Sequence, residues 1–334
     1  MKSSNNSKSK KILFCSALYA TYINKDYKIL NRYFPLYKII SPGLKGLIRM
    51  LRYLPKVRVS FIWFASIHAG VIVFLSKFMK KKTIVALGGF DVAKEKEIRY
   101  GIWTSWWRSV FVGYAIRNAD YVLAVDISLK KKATKLAKYD GGNIKVIPFG
   151  FNSEHWKPGL SKEDYILSVA YIDTPLRIKV KGIDILLKIA SMLLSFKFKI
   201  VGVTNNIINL LEDKTPPNVE LIQPLKQDEL LSYFQRAKIY CQLSWIEGLP
   251  NVLCEAMLCG CLPIGTNVGG IPQAIGETGW IVEYGDVKGT ADVITDAMRM
   301  DTKKGLLCRQ RIIQMFSEHQ REKKLIEIIE KCLI

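Results

Sequence analysis

The chain has 334 residues, 49% of them hydrophobic, with 50 Lys and Arg against 29 Asp and Glu and a formal net charge of +21. That length and apolar content suffice for two domains with a core each, and no long repeat or low-complexity linker interrupts them, which excludes a repeat array and a disordered chain. The excess of cations points to an anionic partner: nucleic acid, an acidic membrane surface or a phosphorylated substrate.

The seven cysteines form no paired framework, so a reducing compartment is expected. Cys254, Cys259 and Cys261 cluster without the spacing of a zinc site or a nearby histidine, and read as small packing residues rather than metal ligands.

In chain order, residues 1–10 are polar and expected to be disordered. "KKILFCSALYA" (10–20) admits a signal-peptide reading, but the polar Thr21, Asn24, Lys25 and Asp26 that follow favour a buried strand. Residues 42–53 read as a helix. "VSFIWFASIHAGVIVFLSKFM" (59–79) approaches the length of a membrane span, yet its aromatic first part and helix-like second part predict strand, turn and helix. "TIVALGG" (83–89) is a strand stopped by glycines, 103–119 an apolar helix, 121–125 a strand, 127–137 a helix and 144–150 a strand. Within 103–119, Trp103, Trp106 and Trp107 suit either a core or docking on an anionic membrane.

Residues 152–164 are polar, contain Pro158 and Gly159, and are expected to link two domains. The alternation then restarts: strand 165–172, helix 182–194, strands 196–203 and 218–225, helix 227–237, strand 239–244, helix 251–260, strands 261–266 and 279–286, and a helical C-terminus with charged faces. Two runs of β–α units predict an α/β protein of two Rossmann-like lobes with a ligand in the cleft between them.

The stretch 246–275, "IEGLPNVLCEAMLCGCLPIGTNVGGIPQAI", places Glu247 in a loop after a strand and Glu255 about two turns along the next helix. A helix start offers free N–H groups to phosphate, and a carboxylate further along can accept hydrogen bonds from ribose hydroxyls. A carboxylate in the loop can bond sugar hydroxyls or stabilise positive charge at an anomeric carbon. Upstream, Arg177, Lys179 and Lys181 in "RIKVKG" read as a cationic loop suited to a pyrophosphate.

Taken with "VKGIDILL" (180–187) and "NVELIQPLKQDELLSYFQRAKIYCQLS" (218–244), this stretch resembles the signature of the retaining glycosyltransferases of family 4, which have the GT-B fold. The resemblance runs from about residue 57 onward. It implies an acceptor-binding Rossmann-like domain over 1–155, a nucleotide-sugar-binding one over 156–312, and a C-terminal helix over 313–334 that packs back on the first. It also implies that Glu255 binds the nucleotide ribose, that Glu247 lies near the donor sugar, and that Lys181 binds donor phosphates. The backbone of Gly248, Leu249, Pro250, Asn251 and Val252 would contact the sugar. The arginine that such enzymes carry directly after the first strand of this domain is Tyr171 here, with Arg177 a few residues on as its substitute. On the acceptor side the resemblance leaves Asp91 and His68, the latter equally readable as an ordinary half-buried histidine.

The expected activity is transfer of a hexose-type sugar, with retention, from a nucleotide-diphosphate sugar to a polysaccharide, lipopolysaccharide or lipid-linked acceptor of the cell envelope. No cofactor is implied and no metal, since no Asp-x-Asp pair is present. The expected location is cytoplasmic, peripheral at the inner face of the membrane. A nucleotide-sugar epimerase or a phosphorylase of the same two-lobed fold is the competing enzyme reading. Nucleic-acid binding is the non-enzyme reading, disfavoured because the lysines are spread out and lack interleaved aromatics.

Overall fold

The structure, a computed structural model, describes residues 11–334; the polar segment 1–10 lies outside them. The chain forms two units. One runs to Phe149 and takes in His319–Ile334; the other is Gly150–Glu318.

In the first unit the elements are β1 (Ile12–Ser16), α1 (Thr21–Asn31), β2 (Leu36–Ile40), α2 (Gly43–Tyr53), β3 (Val59–Trp63), α3 (Ile67–Phe78), β4 (Lys82–Ala86), α4 (Trp106–Asn118), β5 (Tyr121–Ala124), α5 (Ile127–Ala137) and β6 (Ile144–Val146). The six strands are parallel, in the order β2-β1-β3-β4-β5-β6. Every residue of β1 and β3 is buried, because helices cover both faces of a parallel sheet and its central strands must be apolar on both. Residues 10–20 thus contribute a central strand. Residues 59–79 are β3 and α3, with Ser66 capping the helix through a bond from Ala69 N (3.3 Å). Among the described residues no helix is long and apolar enough to cross a membrane.

The second unit begins with β7 (Glu163–Ile172), α6 (Pro175–Val180), α7 (Ile183–Met192), β8 (Lys197–Val203), α8 (Asn205–Leu211), β9 (Val219–Ile222), α9 (Gln227–Arg236) and β10 (Ala237–Gln242). It continues with α10 (Asn251–Leu258), β11 (Leu262–Thr266), α11 (Ile271–Ile275), β12 (Trp280–Val282), α12 (Val287–Arg299) and α13 (Lys304–Met315). Its parallel strands run β12-β11-β10-β7-β8-β9, the doubly wound order in which the chain reverses direction at the β7–β10 seam. A final helix, α14 (Glu318–Leu333), belongs almost wholly to the first unit.

Several expectations change. The segment 152–164 is not a free linker. Trp156 is buried against Phe234, and Arg309 donates to the carbonyls of Trp156 (2.7 Å) and Ser153 (2.8 Å). Phe151 N also donates to Phe316 O (2.9 Å). These bonds draw residues 150–156 and 313–318 into the second unit, so the division falls after Phe149 and after Glu318 rather than after 155 and 312. The helical C-terminus is two helices, broken at Phe316. The stretch holding Arg177 and Lys179 is the short helix α6, started by Pro175, rather than a loop. The sequence reading also passed over α1, β2, α8, α11 and α12.

Candidate active site

In a doubly wound sheet the loops leaving the reversal point diverge to opposite faces and open a crevice at the carboxyl ends of the two strands. In the second unit those loops follow β7 and β10, and they carry the cationic stretch and the first glutamate. Three adjacent contacts stitch them together. Trp245 N donates to Val180 O (3.0 Å), Gly182 lies against Leu243 O, and Lys181 Nζ meets Glu247 Oε2 at 2.7 Å. Gly182 is left-handed (φ +66°), and a Cβ there would stand 1.8 Å from Leu243 O. Gly182→Ala is therefore expected to destabilise the protein by about 2–3 kcal/mol, from the left-handed backbone and the clash with a carbonyl that cannot retreat. Urea unfolding checks it; an unchanged midpoint would mean the loop has room.

Glu247 is held from beneath by a line of side chains. Tyr240 donates to Gln242 Oε1 (3.0 Å), Gln242 Nε2 to Ser244 Oγ (2.8 Å), and Ser244 Oγ to Glu247 Oε2 (3.2 Å). Gly248 N bonds the other carboxylate oxygen at 3.3 Å. Burial raises the Tyr240 hydroxyl well above its usual range, and the charges of Glu247 and Glu255 add to that. The phenol therefore stays protonated and donates. The sequence reading missed Tyr240, Gln242 and Ser244. Their signal was alternation: in "IYCQLS" the polar groups recur every second residue, which sets them on one side of the strand.

The loop then turns into α10. Leu249 and Pro250 are buried, while Gly248, Asn251 and Val252 remain half-exposed at the helix start, where no side chain caps the N–H groups. Glu255 is buried on this helix. Gly269 (φ +60°) and Gly270 close onto this loop. A Cβ on Gly269 would lie 2.1 Å from Glu247 O, and Gly270 N donates to Gly248 O (2.8 Å). Arg177 folds back onto the end of β7: its Nη1 donates to Tyr171 O (3.2 Å), its guanidinium lies 5.5 Å over the Tyr171 ring, and Asp173 pairs with it at 3.3 Å. The guanidinium thus lies against the last residues of β7, six positions back along the chain.

The two residues marked on the first unit part company. His68 sits half-exposed on the first turn of α3, its Nε2 2.9 Å from Gly43 O. Asp91 is engaged by the backbone around it. It is buried, Oδ2 accepts from Ala65 N (2.9 Å), and Oδ1 accepts from Gly88 N (3.0 Å) and Gly89 N (2.8 Å). Burial pushes its carboxyl up to about 6 against the pull of these N–H groups. A carboxylate bonded to three backbone donors braces the turn after β4.

All seven cysteines are buried free thiols, and among the described residues no three His, Cys, Asp or Glu side chains gather as a metal cluster.

Two doubly wound parallel sheets of six strands, the second with the Lys181–Glu247 pair at its reversal point, form the GT-B fold. Residues 164–300 match the family model described as glycosyl transferases group 1, and this stretch includes every donor-side residue above. Among curated relatives, the N-acetyl-alpha-D-glucosaminyl L-malate synthase of Bacillus anthracis is 45% identical over 69 residues, 20% of this chain and 18% of that one. The phosphatidylinositol N-acetylglucosaminyltransferase gpi3 subunit of Schizosaccharomyces pombe is 25% identical over 174 residues, 48% of this chain and 37% of that one. The matches thus span well under half the length of these relatives. Among solved structures, Anabaena HepE in complex with UDP superposes with a TM-score of 0.78 at 13% identity, over 96% of this chain and 100% of that one. A likeness at that identity speaks for the fold.

Proposed function

We propose that the protein is a retaining, metal-independent glycosyltransferase. It takes a nucleotide-diphosphate sugar on its second unit and passes the sugar to a polysaccharide, lipopolysaccharide or lipid-linked acceptor of the cell envelope, working in the cytoplasm as a peripheral protein at the inner face of the membrane. The observation that carries this reading is the Lys181–Glu247 pair at the β7–β10 reversal, beside the uncapped start of α10.

In this reading the N–H groups of the first turn of α10 and the Lys181 ammonium take the diphosphate, with Arg177 adding charge from the end of β7. Glu255 accepts from the ribose hydroxyls. Glu247, braced by Ser244 and Gln242, bonds the donor sugar. As the bond from the anomeric carbon to the diphosphate breaks, the acceptor hydroxyl bonds that carbon on the same face and its proton passes to the departing phosphate. The protein's share is to position two substrates and neutralise the leaving group, which the cations do without a metal. His68 is the residue on which an acceptor role for the first unit rests.

The test is a panel of UDP-, GDP- and ADP-sugars, begun with UDP-N-acetylglucosamine because the names of both curated relatives carry that sugar. Slow nucleotide release without acceptor is expected. An isomeric nucleotide sugar would replace this reading with an epimerase, a sugar 1-phosphate formed with inorganic phosphate would replace it with a phosphorylase, and inertness towards every donor would remove it. Glu255→Ala is expected to weaken donor binding by about ten- to a hundred-fold, the worth of a charged hydrogen bond. Calorimetry reads that loss, and undiminished affinity would release Glu255 from the ribose.

A further inference from the structure

The helices α2, α3, α4 and α5 of the first unit pack side by side in that order, on the face of the sheet opposite to α1. Together they carry ten Lys or Arg and no Asp or Glu. Over the longer stretch from Tyr27 to Phe90 there are twelve Lys or Arg and no acid at all. The helices elsewhere in the unit are mixed: α1 holds Asp26, and α14 holds four glutamates. Among the described residues of the first unit, these four α-helices are the ones that carry cations and no acidic side chain of their own.

The same layer leaves large apolar side chains in water. Trp106 is 80% exposed, Phe78 74% and Leu44 73%, and Ile48, Phe74, Trp107 and Val110 are exposed as well. These are not scattered. α3 and α4 run parallel in tight register, with Gly70 against Phe111, the Phe74 ring 6.0 Å from Tyr114, and Lys77 Nζ bonded to Asn118 (2.7 Å). Phe74 also packs edge-on against Phe78 at 4.9 Å. Phe74, Phe78 and Tyr114 thus form one aromatic cluster across the two helices, and Trp106 and Trp107 stand at the start of α4. On α2, Leu44 and Ile48 lie one turn apart beside the stripe Lys45, Arg49 and Arg52.

We propose that the outer face of α2, α3 and α4 is a docking surface for an anionic lipid bilayer. Trp106, Trp107, Phe78 and Leu44 enter the boundary between headgroups and acyl chains, while the flanking Lys and Arg extend to lipid phosphates. The charge decides among occupants. A second copy would bring cation against cation. A nucleic acid would satisfy the cations but leave Leu44, Ile48, Phe78 and Val110 in water. An anionic membrane satisfies both, and tryptophan suits the boundary because its ring is apolar and its N–H is wet. This gives the peripheral association proposed above a definite face. It rests on that association but not on the donor reading.

The test is sedimentation of the full chain with vesicles of phosphatidylcholine alone and of phosphatidylcholine mixed with phosphatidylglycerol. Binding is expected to the mixed vesicles, to fall with added salt, and to be weak on the neutral ones. Lys45→Gln with Arg49→Gln should lower the partition coefficient about 25-fold, from about fivefold per cation. Trp106→Ser with Phe78→Ser should lower it about tenfold or more, the loss of two large buried apolar groups. Lys323→Gln with Lys324→Gln on α14 should change it little. Circular dichroism and the urea midpoint, read on the same preparations, show that each variant is folded. Absence of binding to the mixed vesicles would overturn both the face and the peripheral association. Equal losses from the α14 pair would overturn the face alone. Self-association abolished by Trp106→Ser, or DNA binding that outcompetes vesicles, would assign the surface to another occupant.

Discussion

Replacing Arg321 by methionine is expected to destabilise the first unit by about 3–5 kcal/mol, the cost of leaving a buried charge without its partner. Asp26 and Arg321 lie on α1 and α14 and are almost wholly out of water, at 1% and 4% exposure. The guanidinium forks onto the carboxylate, with Nε to Oδ1 at 2.7 Å and Nη2 to Oδ2 at 2.6 Å. Its remaining nitrogen donates to Ile147 O (2.9 Å) and Pro148 O (2.8 Å), and its plane lies 5.0 Å over the Phe149 ring. One side chain thus fastens the last helix to the chain end that leaves β6. Methionine matches the stem but strands the Asp26 carboxylate and two carbonyls. Arg321→Lys keeps the charge but loses the fork, and should fall between the two. Hydrogen exchange of the β1 and β6 amides reads the loss, together with urea unfolding. If Asp26→Asn in the Arg321→Met background recovers part of it, the stranded carboxylate is the cause. A loss under about 1 kcal/mol, typical of a solvated pair, would refute the buried-pair account.

That pair also marks what the sequence could and could not reveal. The central strands were legible because they are apolar at every position, as in "ILFCS" and "VSFIW". The missed elements lack that signature. β2 lies at the sheet edge, where none of its residues is fully buried, and "LYKII" carries a lysine. α1 has the polar composition of "TYINKDYKILN" and gains its stability by seating Asp26 and a few apolar residues on the sheet. The pairing of Asp26 with Arg321 spans 295 residues, and no local pattern announces it. The residues of the proposed donor site were legible for a different reason: they lie in two short stretches, each read from its own strand–loop–helix corner. What stayed hidden was their junction. That Lys181 bonds Glu247 follows from β7 and β10 being neighbours, which is a property of strand order. The brace at Asp91 was hidden as well, because it is made by the turn folding its own N–H groups onto the carboxylate.

The Lys181–Glu247 junction sets the largest expected effect on activity. Lys181→Ala should lower kcat about 10²–10³-fold, the usual loss when one group that stabilises developing charge is removed from an active site. With its side chain 26% exposed and paired to a single carboxylate, Lys181 is reached from solvent and its removal should leave the fold intact. The pair predicts more than a loss of rate. Without the ammonium, the Glu247 carboxylate faces a dianionic diphosphate uncompensated, so KM for the donor should rise as well. Glu247→Gln in the same chain removes that repulsion and should bring KM back, yet kcat should stay low, because the cation that takes up charge on the leaving phosphate is still missing. A structural role for Lys181 would give the opposite pattern, with both constants recovering once the unpaired acid is gone. Steady-state release of nucleotide from the preferred donor distinguishes the two, and a kcat for Lys181→Ala within about threefold of the parent would end the assignment of this crevice to the donor diphosphate.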